Sequence, residues 1–103
     1  MVQQISSSGL PEILAQNKVV VADFYAVWCG PCKMMHPILE ELSNKYKNVK
    51  FVKIDIDQNT DFAIKQNVQV VPTFIGYNNG VEVNRVLGFL NKEDFDLFVQ
   101  SLQ

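Results

Sequence analysis

Two cysteines, Cys29 and Cys32, stand three positions apart in Trp28-Cys29-Gly30-Pro31-Cys32. A disulfide across so short a span restricts the unfolded chain far less than a long-range bridge would, so stapling the fold is a poor use for it. Zinc would need four ligands, and this chain offers one Cys-x-x-Cys and a single histidine, His36. An inert buried pair is the other bland possibility. Position argues for chemistry: the pentapeptide follows an apolar strand and opens a helix, whose free N–H groups and partial positive charge favour a thiolate over a thiol. Cys29, at the helix mouth, is the expected nucleophile, and Cys32, one turn further in, the less exposed resolving thiol. Residues i and i+3 bring their β-carbons close enough for the pair to cycle between dithiol and disulfide with little backbone movement. Pro31 suits the first helical turn, and Gly30 leaves room for an approaching chain.

The elements around the pair have legible patterns. Residues 19–25, Val-Val-Val-Ala-Asp-Phe-Tyr, read as a central strand covered on both faces. From Cys32 to Tyr46 a helical stripe of Met35, Ile38, Leu39, Leu42 and Tyr46 continues past Pro37, where a kink is expected. A short strand over residues 2–5 precedes a first helix carrying Leu10, Ile13 and Leu14, for which Ser6, Ser7 and Ser8 offer capping hydroxyls. Residues 51–56 alternate as a strand, and Asn59 or Thr60 can cap a short helix through Phe62, Ala63 and Ile64. Two apolar runs flank Asn78-Asn79-Gly80, a strong hairpin signal, and Asn91 can cap a last helix with Phe95, Phe98, Val99 and Leu102 on one face. The order β-α-β-α-β-α-β-β-α predicts an α/β domain over residues 1–103, with helices on both faces of a mixed five-stranded sheet.

The chain has 103 residues, 48% of them hydrophobic and 19% charged, enough for one ordinary core. A net charge of −2 gives no footprint for nucleic acid. The longest aliphatic stretch is broken by Asp23, so no membrane span is expected, and the first residues lack the pattern of a signal peptide. A cytoplasmic setting is the default, with an organelle after presequence removal left open.

The run from Asp23 through Lys33, followed by Phe51-Val52-Lys53-Ile54-Asp55, Val71-Pro72-Thr73-Phe74, Asn79-Gly80 and Gly88 in order, resembles the thioredoxin family over essentially the whole chain. That resemblance implies the thioredoxin fold, with four helices about the sheet, and reduction of disulfides in other proteins through a reversible Cys29–Cys32 disulfide. It implies a buried Asp23 beneath Cys32 that exchanges protons with it. The residues agree that Asp23 is odd, since a charge in a covered strand costs energy without a partner. Lys53 belongs with this catalytic group, although an aspartate merely tied up by Lys53 is the competing reading. A cis peptide before Pro72 is also implied, along with a shallow substrate groove of Trp28, Gly30, Pro31, Ile56, Val71, Pro72, Leu87, Gly88 and Phe89. Implied partners are a thioredoxin reductase passing electrons from NADPH and disulfide-bearing clients of the peroxiredoxin or reductase type. No bound cofactor, no metal and a monomer are expected. Phe89 stands where family members carry a small residue, Gly76 interrupts a strand usually without glycine, and Asn78 replaces a commonly basic residue. Within this chemistry an isomerase or oxidase is the runner-up, and a binding module that docks partners on the same groove is the rival of another class. His36 reads as a solvated helix residue, and Met34 and Met35 as packing residues.

Overall fold

The computed structural model describes residues 1–103, and its sheet is built around the strand whose sequence is most apolar. That strand, β2 (Val19–Tyr25), is buried on both faces and lies third in the order β1-β3-β2-β4-β5. Its neighbours are β3 (Val49–Asp55), parallel to it, and β4 (Thr73–Asn78), antiparallel. The edges are β1 (Gln3–Gln4), parallel to β3, and β5 (Val81–Leu87), antiparallel to β4. Four helices complete the domain: α1 (Leu10–Gln16), α2 (Gly30–Lys45), α3 (Thr60–Lys65) and α4 (Lys92–Ser101). The mixed five-stranded sheet flanked by four helices is the expected architecture.

The two-residue period of a strand sorts the core into two layers. Val19 and Val21 of β2, with Val49 and Phe51 of β3, pack against Met35, Leu39 and Leu42 of α2 and Phe95, Phe98, Val99 and Leu102 of α4. Val20, Ala22 and Phe24, with Val52 and Ile54, face Leu10 of α1 and Phe62 of α3. Continuing the first series along each strand places Asp23 and Lys53 on the α2 side, directly paired in register. The sheet therefore delivers a carboxylate to the underside of the helix that begins at the cysteines.

Asn79 and Gly80 both adopt positive φ, 54° and 81°, in the two-residue turn between β4 and β5. Asn91 caps α4 by accepting the Asp94 N–H at 2.8 Å. Pro37 lies inside one uninterrupted α2, so it does not stop that helix. The serines do not cap α1. Ser7 to Gly9 form a short 3-10 turn instead, Gly9 precedes the helix, and the Ser6 and Ser8 hydroxyls bond each other at 2.8 Å. Asn59 sits at the start of α3 but makes no cap: its side chain accepts the Ser7 N–H and donates to the Asp55 carbonyl, both at 2.9 Å. It ties two distant segments together where a local cap was expected.

Gly76 marks a β-bulge, where the β4–β5 register shifts between Gly76 and Tyr77. The reason for glycine is spatial: a β-carbon there would meet Leu102 Cγ at 2.9 Å and both its methyls closer still. Leu102, buried at the end of the chain, occupies the volume a side chain would take. Gly76→Ala is expected to destabilise the fold by about 1–3 kcal/mol through overpacking. Equilibrium urea unfolding measures this, and a neutral or stabilising alanine would contradict the packing account.

Candidate active site

The site begins where β2 ends. Ala26 is buried after the strand, Val27 and Trp28 emerge to solvent, and the chain turns into α2 with Cys29 as its N-cap residue. Pro31 sits in the first turn, where a missing N–H is no loss. Cys29 and Cys32 are joined as a disulfide with their α-carbons 5.3 Å apart. The Cys29 sulfur accepts the Cys32 backbone N–H at 3.2 Å and lies 3.6 Å from the Val71 carbonyl. A donor aimed at this sulfur from a helix N-terminus stabilises negative charge on it. The expected contrast in exposure between the two cysteines does not appear. Cys29 is 5% exposed and Cys32 7%, because Tyr25, Ile56 and Val71 pack around both together with Ala26. What distinguishes Cys29 is its place as the cap, which receives the helix N–H.

The loop facing the cysteines is held by specific bonds. The Val71–Pro72 peptide is cis, as the resemblance implies. The Thr73 hydroxyl donates to the Val70 carbonyl at 2.7 Å, and the Gly88 N–H to the Pro72 carbonyl at 2.7 Å. The Ile56 N–H donates to the Tyr25 carbonyl at 2.9 Å, which brings Ile56 to the end of β2.

The structure therefore gathers Ile56 and Val71 against the cysteines, with Pro72 buried behind Val71. Gly88, held by its bond to Pro72, adopts a φ of 81° that a side chain would strain. Leu87 pairs with Thr73 in the sheet register and is exposed, as are Gly30, Pro31 and Phe89. Phe89 lies on the segment after β5.

Trp28 is 66% exposed and its indole N–H donates to Asp57 at 2.8 Å. Asp57 in turn receives its place from Asp55, whose carboxylate accepts the Asp57 N–H at 2.8 Å. No spacing along the chain points to this pair; the indole N–H, a donor that can take a carboxylate partner, is the one signal in the sequence. Met35 is fully buried in the core, but Met34 is 59% exposed, because α2 turns that position outward. It is a surface residue beside the site, not a packing residue.

Beneath the cysteines, Asp23 is only 3% exposed and one of its carboxylate oxygens has no hydrogen-bond partner. Burial raises its pKa from 3.8 to about 7, against a smaller lowering effect of the Lys53 charge. No ion pair joins Asp23 to Lys53, whose ammonium lies 5.3 Å over the Tyr25 ring. An aspartate merely tied up by Lys53 is not what the geometry contains. A cavity of about 400 Å³ opens here, bordered by Asp23, Tyr25, Cys32, Lys33, His36 and Lys53, with Ala26 and Val27 completing it. It puts the carboxyl and the second cysteine on one shared space. No group of three or more potential ligand side chains that could hold a metal ion occurs in the chain, and no helix is long and apolar enough to cross a membrane.

Comparison with known proteins agrees with this geometry. The family model described as thioredoxin matches residues 1–101. Thioredoxin-1 of Schizosaccharomyces pombe is 43% identical over 89 residues, covering 85% of this chain and 86% of that protein. A Plasmodium falciparum thioredoxin structure superposes with a TM-score of 0.90 at 34% identity, covering 98% of this chain and 99% of the other. A structure described as bearing on thiol resolution in a yeast mitochondrial 1-Cys peroxiredoxin by glutathione and thioredoxin systems matches with a TM-score of 0.89 at 33% identity, over 98% and 95% of the two chains.

Proposed function

We propose, from the premise that this chain belongs to the thioredoxin family, that its dithiol–disulfide oxidoreductase activity runs in the reducing direction and serves protein clients. The oxidoreductase chemistry itself, with disulfide-bearing substrates and a reductase as its partner classes, follows from that membership. The observation that carries the finer reading is the Cys29–Cys32 pair at the N-terminus of α2, with the Cys32 N–H directed at the Cys29 sulfur.

In the reduced protein the Cys29 thiolate attacks one sulfur of a client disulfide, and the other client sulfur leaves as a thiolate. The Cys32 thiol then gives its proton to the Asp23 carboxylate and attacks Cys29. The Cys29–client bond breaks, the Cys29–Cys32 bond forms, and the client departs with both of its sulfurs reduced. Two electrons pass to the client, and a reductase returns them. In this reading the reductase is an NADPH-dependent thioredoxin reductase, and the chain needs no cofactor of its own because the two sulfurs carry the electrons. Trp28, Gly30, Pro31, Ile56, Val71, Pro72, Leu87, Gly88 and Phe89 form the groove on which an extended client strand lies, with the Val71 backbone as its hydrogen-bonding edge. Peroxiredoxin-type clients are favoured by the likeness to the yeast peroxiredoxin-linked structure. The setting is a reducing one, the cytoplasm, and the working form a monomer.

The test couples the chain to a thioredoxin reductase and NADPH with insulin as the disulfide. NADPH consumption is expected to rise in proportion to the concentration of the chain. Consumption no faster than with reductase and insulin alone would reject the reducing direction or the donor. Repeating the assay with dithiothreitol in place of reductase tells which: acceleration there leaves only the donor wrong.

A further inference from the structure

The cavity over Asp23 has a feature the cycle leaves unused. Asp23 must be deprotonated before it can take the Cys32 proton, and it is too buried to give up a proton to bulk water directly. Its remaining exit is the cavity of about 400 Å³, which has ample room for water at roughly 30 Å³ per molecule. The exposed lining residues are Val27 and, one turn apart on α2, Lys33 and His36.

A relay at that mouth has to accept a proton and release it. A lysine ammonium has three donors and no lone pair, so Lys33 and Lys53 supply positive charge but cannot accept. Burial, with the charges of Asp55 and Asp23, pushes the Tyr25 phenol further above its ordinary value, so it stays neutral. An imidazole has one nitrogen to accept and one to donate, so it can take a proton on one side and release one on the other. The remaining charged neighbour along α2 is Glu40, four residues on and partly buried, whose carboxylate accepts the Val2 N–H at 3.4 Å. Asp23 and Tyr25 from β2, Lys53 from β3, and Cys32, Lys33 and His36 from α2 are the titratable groups facing the cavity.

We propose that His36 is the port through which Asp23 sheds its proton to solvent, ahead of the resolving step so that the carboxylate is free to take the Cys32 proton, and again after it, which makes His36 a positioning residue for that step. This rests on the reducing cycle above. The balance is simple: Cys32 loses a proton to Asp23 as the Cys29–Cys32 bond forms and the client thiolate leaves. Asp23 passes that proton through cavity water to the imidazole, and the imidazole passes it to bulk.

The resolving step can be read alone by mixing the reduced protein with one equivalent of dithiobis-nitrobenzoate. The first thionitrobenzoate release reports attack by Cys29 and the second reports attack by Cys32. His36→Ala and His36→Gln are both expected to slow the second release about tenfold near neutral pH, less than the roughly hundredfold or more of a direct acid–base group. The first release should be unchanged. Added imidazole should restore the rate in His36→Ala, and neither variant should slow the step further in an Asp23→Asn background. A second release at the wild-type rate in His36→Ala overturns the port. So does slowing that imidazole does not restore, or that persists undiminished in Asp23→Asn, since either would be a merely structural effect. If Asp23→Asn alone leaves the second release unchanged, the relay falls while the thiol cycle stands. Failure of the wild-type chain to reduce insulin would instead reject the cycle itself.

Discussion

Serine at position 29 is expected to abolish disulfide reduction, a loss of roughly a thousandfold or more, while serine at position 32 leaves one covalent step intact and stops there. The fold should survive the first change. Cys29 is the N-cap of α2 and accepts the Cys32 N–H, and serine is among the side chains that do this best. Loss of activity in Cys29→Ser would then report the missing sulfur and not a frayed helix. Cys32→Ser keeps the attacking thiolate but removes the group that expels the client, so a mixed disulfide between Cys29 and the client should accumulate. Insulin reduction with limiting dithiothreitol gives the rates, and mass spectrometry of the quenched reaction gives the adduct. If the roles are reversed, the adduct forms in Cys29→Ser instead, through Cys32. The similar burial of the two cysteines makes this a real alternative that only the helix-cap geometry decides against. If both serine variants retain full effect in an assay that depends on partner docking, the groove acts as a binding surface and the sulfurs are incidental.

The parts of this site that could be read from the sequence are those set by residues near one another in the chain. Cys-x-x-Cys after an apolar strand, the Asn79-Gly80 turn and the Asn91 cap each rest on a local rule, and each is present. The misreadings have a common cause: a side chain that could act locally is used across the fold. Asn59 has the right type for a cap, yet its amide bridges Ser7 and the Asp55 carbonyl, and the Ser7 backbone is 52 residues away in sequence. The serines lose their capping role because the chain inserts a 3-10 turn ahead of α1.

Gly76 could be suspected of marking a bulge, but the side chain that demands glycine, Leu102, lies at the far end of the sequence. The Trp28–Asp57 bond and the cavity that joins His36 to Asp23 are likewise products of packing between β2, β3 and α2. No spacing rule along the chain encodes them. Asp23 is the intermediate case. Its sequence position within an apolar strand announces a cost, and the two-residue period places it on the α2 face. That no partner relieves the cost is visible only in three dimensions.

That unrelieved cost leads to the second large effect, because Asp23→Asn should change rate and stability in opposite senses. With its pKa raised to about 7 by burial, Asp23 is partly ionised at neutral pH and can accept the Cys32 proton. The wild-type resolving step should therefore quicken as pH rises through about 7, while Asp23→Asn is slower by roughly a hundredfold or more and shows no inflection near 7. Stability runs the other way. An acid whose folded pKa lies above its unfolded value binds protons more tightly in the native state, so folding is favoured at low pH and loses ground as pH rises. The penalty is absent below pH 3.8, grows between there and about 7, and is complete above it. A rise of this size corresponds to about 4 kcal/mol, an upper limit on what asparagine can return, since its amide must also find hydrogen bonds in the same buried space. Urea unfolding at several pH values should show Asp23→Asn more stable than wild type at pH 8 and the gap closing as the pH falls toward 4. A gap that does not vary with pH would mean that Asp23 has the same pKa folded and unfolded, and would remove the raised basicity that suits it to take the Cys32 proton.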